Sequence, residues 1–212
     1  RDSSDKPYEF TVHIKASGDT RMGIITDIKN ELRIINGIRI LHSLNEMVTP
    51  DHPYAETEID EYYKVETYKE SRNNIIVIKT NAADRYLIGD RPDYLDGNAL
   101  EKVKSYILNK GNNPDLPDKT DKEFTLPDGR SITYPVSQAM ILMQNDRGTS
   151  FEGYQAVNAF VQKAYRELRN DLATELFGRA LAELSDAETA IIRQAIPMNV
   201  YEAEPKDAPA RR

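Results

Sequence analysis

The sequence predicts an α+β fold: a small mixed β-sheet with helices packed mainly on one face, and a long C-terminal helix. Three observations predict it. Short β-branched or alternating runs at Tyr8–Ala16, Ile38–Leu44, Ile75–Ile78 and Ala139–Met143 have the length and content of strands. Between them, apolar residues recur at steps of three and four, the period of an amphipathic helix. The longest such stripe carries Phe151, Tyr154, Val157, Val161, Leu168, Leu172 and Leu176, and predicts one helix from about 150 to 177.

Taken in order, YEFTVHIKA alternates apolar and polar residues and reads as a strand, and SGDT follows it as a turn. Met22, Ile25, Ile28, Leu32 and Ile35 then form a helical stripe that Asn36-Gly37 ends, since glycine tolerates the left-handed terminal conformation. IRILHSL is a second strand, so residues 1–48 hold a compact β-α-β unit. Residues 49–72, with two prolines and many acids, read as a linker. Ile75–Ile78 and Tyr86–Ile88 flank a turn at Asn81–Asp84 and predict a hairpin. Leu100, Val103, Ile107 and Leu108 mark a helix capped by Asp96 or Asn98. Asp128-Gly129, a preferred hairpin dipeptide, predicts a further small hairpin in an otherwise loop-like stretch. Ser185–Glu188 has the S-x-x-E form of a capping box and opens a last short helix to about Ala195. YEAEPKDAPARR reads as a polar, frayed tail, with 206–212 disordered.

Composition narrows the chemistry. A formal charge of -7 and a pI near 5.1 argue against a general nucleic-acid surface, where affinity depends on neutralising phosphates with Lys and Arg. Without cysteine there is no disulfide, thiol nucleophile or thiolate metal site. The histidines are His13, His42 and His52; a cross-strand pair of the first two has no third ligand in view, so no metal site is expected. No G-x-S-x-G, G-x-x-x-x-G-K-[ST] or G-x-G-x-x-G occurs, and Ser150 has no histidine near it in sequence, so a hydrolase or a phosphate cradle has no support. No enzyme and no cofactor are expected.

MQNDRGTSFEGY, between the Ala139–Met143 run and the long helix, is the exception to this plainness. Thr149 with Glu152 has capping-box spacing, and Gly148 offers a backbone conformation closed to other residues. Gly148, Thr149 and Glu152 are thus structural cap residues. Gln144, Asn145, Asp146 and Arg147 exceed what a helix start needs, and are the candidate partner-binding residues, exposed at a helix N-terminus. The corner also has an echo: TVHIKASGDTRMGIITDIKNELR and MILMQNDRGTSFEGYQAVNAFVQ both read strand, polar corner, amphipathic helix. They are either two related halves or two examples of a common α/β corner.

QNDRGTSFEGY, the helix with AYRELRNDLATELFG, and the ending AIPMNVYEAEP together resemble the ExbD/TolR family of biopolymer-transport proteins. The likeness is to a long-tailed subset with a QNDRGTS corner and an EAEP tail. NNIIVIKTNAADRYLIGD and NPDLP are similar to that family's strand-turn-strand segment and following loop. The resemblance runs over 73–205, with Phe151 where tyrosine is expected and VYEAEP for the usual ending. Residues 1–70 lie outside it, although ASGDTRMGIITDIKNELRIINGIRIL is similar to the closing strand-helix-strand of ordinary members.

This resemblance implies a non-enzymatic role: the periplasmic part of an inner-membrane motor of the Ton or Tol type, driven by the proton-motive force. The motor energises outer-membrane transport or maintains envelope integrity. The implied partners are an ExbB/TolQ-like channel protein, a TonB/TolA-like protein, peptidoglycan and a second copy in a homodimer. The family's transmembrane anchor, with its proton-carrying aspartate, has no counterpart in this sequence. A different class also suits residues 8–45, namely an ACT-like small-molecule-binding regulatory module, though the acidic linker interrupts its expected second half.

Overall fold

The computed structural model describes residues 10–33, 38–44, 72–89 and 91–206. Residues 49–71 of the acidic linker, His52 among them, and residues 207–212 of the disordered tail expected at 206–212 lie outside them, whereas Lys206 ends a strand.

Strand β1 (Phe10–Ala16), helix α1 (Met22–Arg33) and strand β2 (Ile38–Leu44) form the expected β-α-β unit. The two strands pair in parallel, from Phe10 opposite Ile38 to Ala16 opposite Leu44. That register sets His42 opposite Ile14, so the two histidines are not cross-strand partners.

Strands β3 (Ile75–Thr80) and β4 (Tyr86–Ile88) form the expected hairpin, and β5 (Arg91–Asp93) extends it. Helix α2 (Gly97–Leu108) starts at Asp96, whose carboxylate accepts from Ala99 N at 3.0 Å. The Asp128-Gly129 turn closes a longer hairpin than expected, β6 (Lys119–Thr125) with β7 (Ser131–Ser137). Gly129 has φ 85°, which the turn requires and glycine alone supplies without strain.

Strand β8 (Met140–Asp146) leads into helix α3 (Phe151–Phe177), which matches the expected span to within a residue. Ser185 opens α4 (Asp186–Ala195) with the reciprocal capping box: Ser185 Oγ faces the Glu188 amide, and Glu188 Oε2 accepts from Ser185 N at 2.9 Å. The amide and hydroxyl of Ser185 hold the Glu188 carboxyl below the usual carboxylate range. The chain then turns into β9 (Val200–Lys206).

The C-terminal segment departs from the polar, frayed tail expected of it. VYEAEPK is a strand, paired in parallel with β8, and no frayed tail begins at Tyr201. Its composition carries no strand signal because its hydrogen-bond ladder is supplied by β8, and the crossover through α3 and α4 brings it there.

The five-stranded sheet has the order β5-β4-β3-β8-β9, with β3, β8 and β9 parallel and β4 and β5 antiparallel. It is therefore a mixed sheet, and α3 is the long C-terminal helix. Ile76, Ile78 and Thr80 share one face with Ile141, Met143 and Asn145. That face is the core: Ile78 and Ile141 are fully buried, and α3 covers them with Phe151, Tyr154, Val157 and Val161. On the opposite face Met140 is buried, while Ile75, Val77, Leu142 and Gln144 are half-buried.

Candidate functional site

The corner lies where β8 runs into α3, and each of its residues can be placed. Gln144 sits on the half-buried face of the sheet. Asn145 points to the core face, 1% exposed, opposite Thr80 in the register. Its two side-chain amide atoms and Thr80 Oγ1 have no hydrogen-bond partner among protein groups. Asp146 accepts from Ala82 N at 3.2 Å through its carboxylate, and from Thr149 N at 3.0 Å through its carbonyl. Arg147 donates to Asp27 Oδ2 at 2.7 Å. Of the four candidate contact residues, Asn145 is thus enclosed, while Asp146 and Arg147 already hold other parts of the chain.

The expected cap is displaced by one residue. Ser150 is the N-cap, and its hydroxyl accepts from Gly153 N at 2.9 Å. Thr149 Oγ1 points away from the helix and donates to the Thr80 and Asn81 carbonyls at 3.0 and 3.1 Å. Glu152 returns nothing to Thr149; its amide donates to Gly18 O at 2.9 Å. Thr149 and Glu152 are therefore not a capping box, because both are recruited by segments distant in sequence. The role expected of Gly148 changes too. Among the described residues the left-handed glycines are Gly89, Gly129 and Gly178, whereas at Gly148 a Cβ would lie 2.7 Å from Ala82 Cβ. Close approach of the β3–β4 turn is what requires glycine there.

These assignments separate by experiment. Ser150→Ala removes the hydroxyl cap and is expected to cost about 1 kcal/mol. Thr149→Val removes the hydroxyl donor shared by the Thr80 and Asn81 carbonyls, the second of which still accepts from Asp84 N at 2.9 Å, and is expected to cost about as much, although no helix amide is affected. Denaturant titration of both variants checks this; an unchanged midpoint for Thr149→Val would restore the cap to that residue.

The segments that recruit the corner belong to the echo. Met22 N donates to Thr149 O at 2.9 Å, and Phe151 N to Thr20 O at 2.7 Å. Gly23 N donates to Arg147 O at 2.9 Å, and Glu152 N to Gly18 O at 2.9 Å. Arg21 and Ser150 form an antiparallel bridge between the two pairs. Each of these hydrogen bonds has a mate in which the two corners exchange roles at the same offset along the chain, and Arg21 meets its own counterpart Ser150, so the two like corners face each other about a local two-fold. The first amides of a helix have no partner within the helix. Here each helix gives two of them to carbonyls of the other's corner.

The pairing is reciprocal in its backbone and complementary in its side chains. A Cβ at Gly18 would lie 3.4 Å from Glu152 Cβ, and one at Gly23 would lie 3.3 Å from Arg147 Cβ and 3.2 Å from Arg147 O. The counterpart of Gly18 is Arg147 and that of Gly23 is Glu152. A glycine of the first unit thus faces a side chain of the second at both tight points. Two copies of the second corner would set Glu152 against Arg147 at each, so the seam favours the unlike pair.

Side chains reinforce it. Arg21 Nη1 donates to Gly148 O at 2.7 Å, and the Arg147 guanidinium holds the Asp27 carboxyl below the usual carboxylate range. That pair is substantially exposed and solvent screens it. Lys29 is different: its Nζ lies 2.7 Å from Glu202 Oε2, with side chains 2% and 10% exposed, tying α1 to β9. Beneath the seam, Met22, Ile25, Phe151 and Tyr154 are fully buried in one core, with the last two rings stacked at 6.1 Å.

Gly18, Lys29 and Asp84 carry no signal of this role in the sequence, Gly23 suggests only the start of a helix, and Ser150 only a hydroxyl with no histidine near it. Asp84 Oδ1 accepts from Ser150 N at 2.9 Å, which sets the cap residue itself. The echo was the one available signal, and it showed that two corners exist without showing that they meet.

Among the described residues no group of three or more His, Asp or Glu side chains is placed to hold a metal. Nor is any helix among them long and apolar enough to cross a membrane. Compared with known proteins, the chain matches no family model, no curated protein and no solved structure. The geometry itself defines a joint: two β-α-β units locked corner to corner, one continuous with the main sheet.

Proposed function

We propose that this chain is the periplasmic part of an ExbD/TolR-like component of a proton-motive-force-driven inner-membrane motor. Its role is to pass motion from an ExbB/TolQ-like channel protein to a TonB/TolA-like protein or to peptidoglycan. The anchor and its proton-carrying carboxylate would belong to sequence outside this chain. The role is mechanical and non-enzymatic, and a homodimer is the working assembly.

One observation carries this reading, the joint at the QNDRGTS corner. Four backbone hydrogen bonds and the bridge at Arg21 and Ser150 couple β1–α1–β2 to the main sheet. Load applied to β1 would reach β8 and β9 through that seam, with Lys29–Glu202 as a second tie. The polar residues of the corner hold structure together, as a force-bearing element needs. The ACT-like alternative gains nothing from the fold. β1 and β2 pair directly with each other, whereas the split β-α-β of ferredoxin-like modules places another strand between.

The test uses the full-length gene in its own cell. The intact protein is expected to co-purify with an ExbB/TolQ-like channel protein, and its deletion to impair proton-motive-force-dependent uptake or envelope integrity. Asp146→Ala with Arg147→Ala releases exposed side-chain contacts, to Ala82 N and to Asp27, so the fold should be retained with a slightly loosened seam while capture of the TonB/TolA-like protein or of peptidoglycan weakens. Unchanged capture and transport in that variant would remove the corner from the contact surface. A deletion without envelope phenotype, together with no channel partner, would overturn the whole reading.

A further inference from the structure

A cleft of about 450 Å³ lies on the helical side of the molecule, far along α3 from the corner. Its floor is apolar: Leu168, Leu172 and Ile196 are buried, and Leu108, Leu116 and Tyr134 are half-buried around them. One wall is the loop after α2, and it is built to hold its shape. Buried Asn109 accepts from Asn113 N at 2.8 Å, and donates to Asn113 O and Pro117 O at 3.0 Å each. The cleft is thus preformed, and its volume falls in the range of ordinary ligand sites, roughly 300–1,000 Å³.

The rim is acidic. Asp171 and Glu175 stand four residues apart on α3, both exposed, and neither has an ion-pair partner among the described residues. Like charges at this spacing oppose helix stability by a few tenths of a kcal/mol. On the α2 side, Lys104 is shared by Glu101 at 2.9 Å and Glu167 at 3.1 Å, so one cation serves two carboxylates. Lys110 is the other cation lining the cleft. Burial and the negative charge of Glu175 together push the Tyr134 hydroxyl up.

We infer that this cleft docks a short basic, aliphatic segment of another polypeptide. The charge pattern selects the occupant. A lysine or arginine head would sit between Asp171 and Glu175, neutralising a pair that no described residue compensates. The aliphatic stem and a neighbouring aliphatic side chain would cover Leu168, Leu172 and Ile196. A chain with formal charge -7 also draws cationic partners towards it in general. This inference does not rest on the envelope reading; under that reading it locates where a motor partner's tail would bind.

The intact chain is titrated into a labelled peptide alternating leucine and lysine, with fluorescence anisotropy as the readout. Controls are a leucine–glutamate peptide, a lysine–serine peptide and spermidine as competitor. The leucine–lysine peptide should bind and shift the amide resonances of residues 168–175. Asp171→Lys with Glu175→Lys should weaken it about tenfold or more while the fold is retained, since reversing unpaired rim charges touches no core contact. Leu116→Ser should weaken it through the floor, with thermal unfolding confirming that the variant folds. Equal binding of the lysine–serine peptide, or displacement by spermidine at similar concentration, would reduce the site to non-specific charge and overturn the proposal. So would unchanged affinity in the charge-reversed variant, resonance shifts confined to the corner, or no binding at all. None of these outcomes bears on channel co-purification, so the two readings fail separately.

Discussion

Replacing Lys29 by methionine is expected to cost about 3 kcal/mol, the lower end of what removing one partner from a buried ion pair costs. The loss arises because Glu202 keeps its charge in an almost enclosed position after the cation 2.7 Å from it has gone. Replacing both residues, Lys29→Met with Glu202→Leu, is expected to recover most of that loss, since an apolar pair carries no charge to desolvate. Urea denaturation of the three proteins, read by circular dichroism, checks the order. A biphasic curve for Lys29→Met alone would place the loss at the seam, with α1 releasing before the main sheet melts. If the single variant falls within about 0.5 kcal/mol of the parent, as a surface substitution would, Lys29 is not the tie described above.

Gly153→Ala is a case where local and tertiary physics predict opposite signs. Gly153 lies in the first turn of α3, and alanine is favoured over glycine inside a helix by about 1 kcal/mol. A Cβ at that position would lie 2.6 Å from Asp84 Oδ1 and 2.9 Å from Asp84 Cγ. A real Cβ essentially never approaches a non-bonded atom so closely, so Asp84 must withdraw, and with it goes the acceptor for Ser150 N. Overpacking of this kind costs roughly 1–3 kcal/mol, and the lost hydrogen bond adds to it. Net destabilisation of about 2 kcal/mol is expected. A rise in melting temperature would mean that the Asp84 loop yields freely, and that its hydrogen bond to the cap has little weight.

Both predictions rest on contacts between residues far apart in sequence, and the two kinds of contact differ in how far they can be read from it. The span of α3, the capping box at Ser185 and Glu188, the Asp96 cap and the Asp128-Gly129 turn all follow from residues within a few positions of one another. Their signals are periodicity and turn chemistry, which act locally. The cap at Thr149 and Glu152 satisfied the same local pattern, and a neighbouring element overrode it. The Thr80 and Asn81 carbonyls took the threonine hydroxyl, Gly18 took the Glu152 amide, and Ser150 was left as the residue whose hydroxyl faced the helix. Strand β9 failed in the other direction, since its residues lack strand character and β8 supplies the ladder.

The sequence by itself determined the α+β class, the helical stripes, the turns and the existence of two like corners, because each depends on side-chain period or on backbone groups a turn apart. Only the tertiary structure decided that the corners face each other, that glycine in one meets a side chain in the other, and that Lys29 finds Glu202. The physical reason lies in the free amides at a helix start. They must find acceptors, and water, a ligand or another segment would each satisfy them equally well in a local reading. Which acceptor wins depends on what the folded chain brings within 3 Å, and here it brings the other corner.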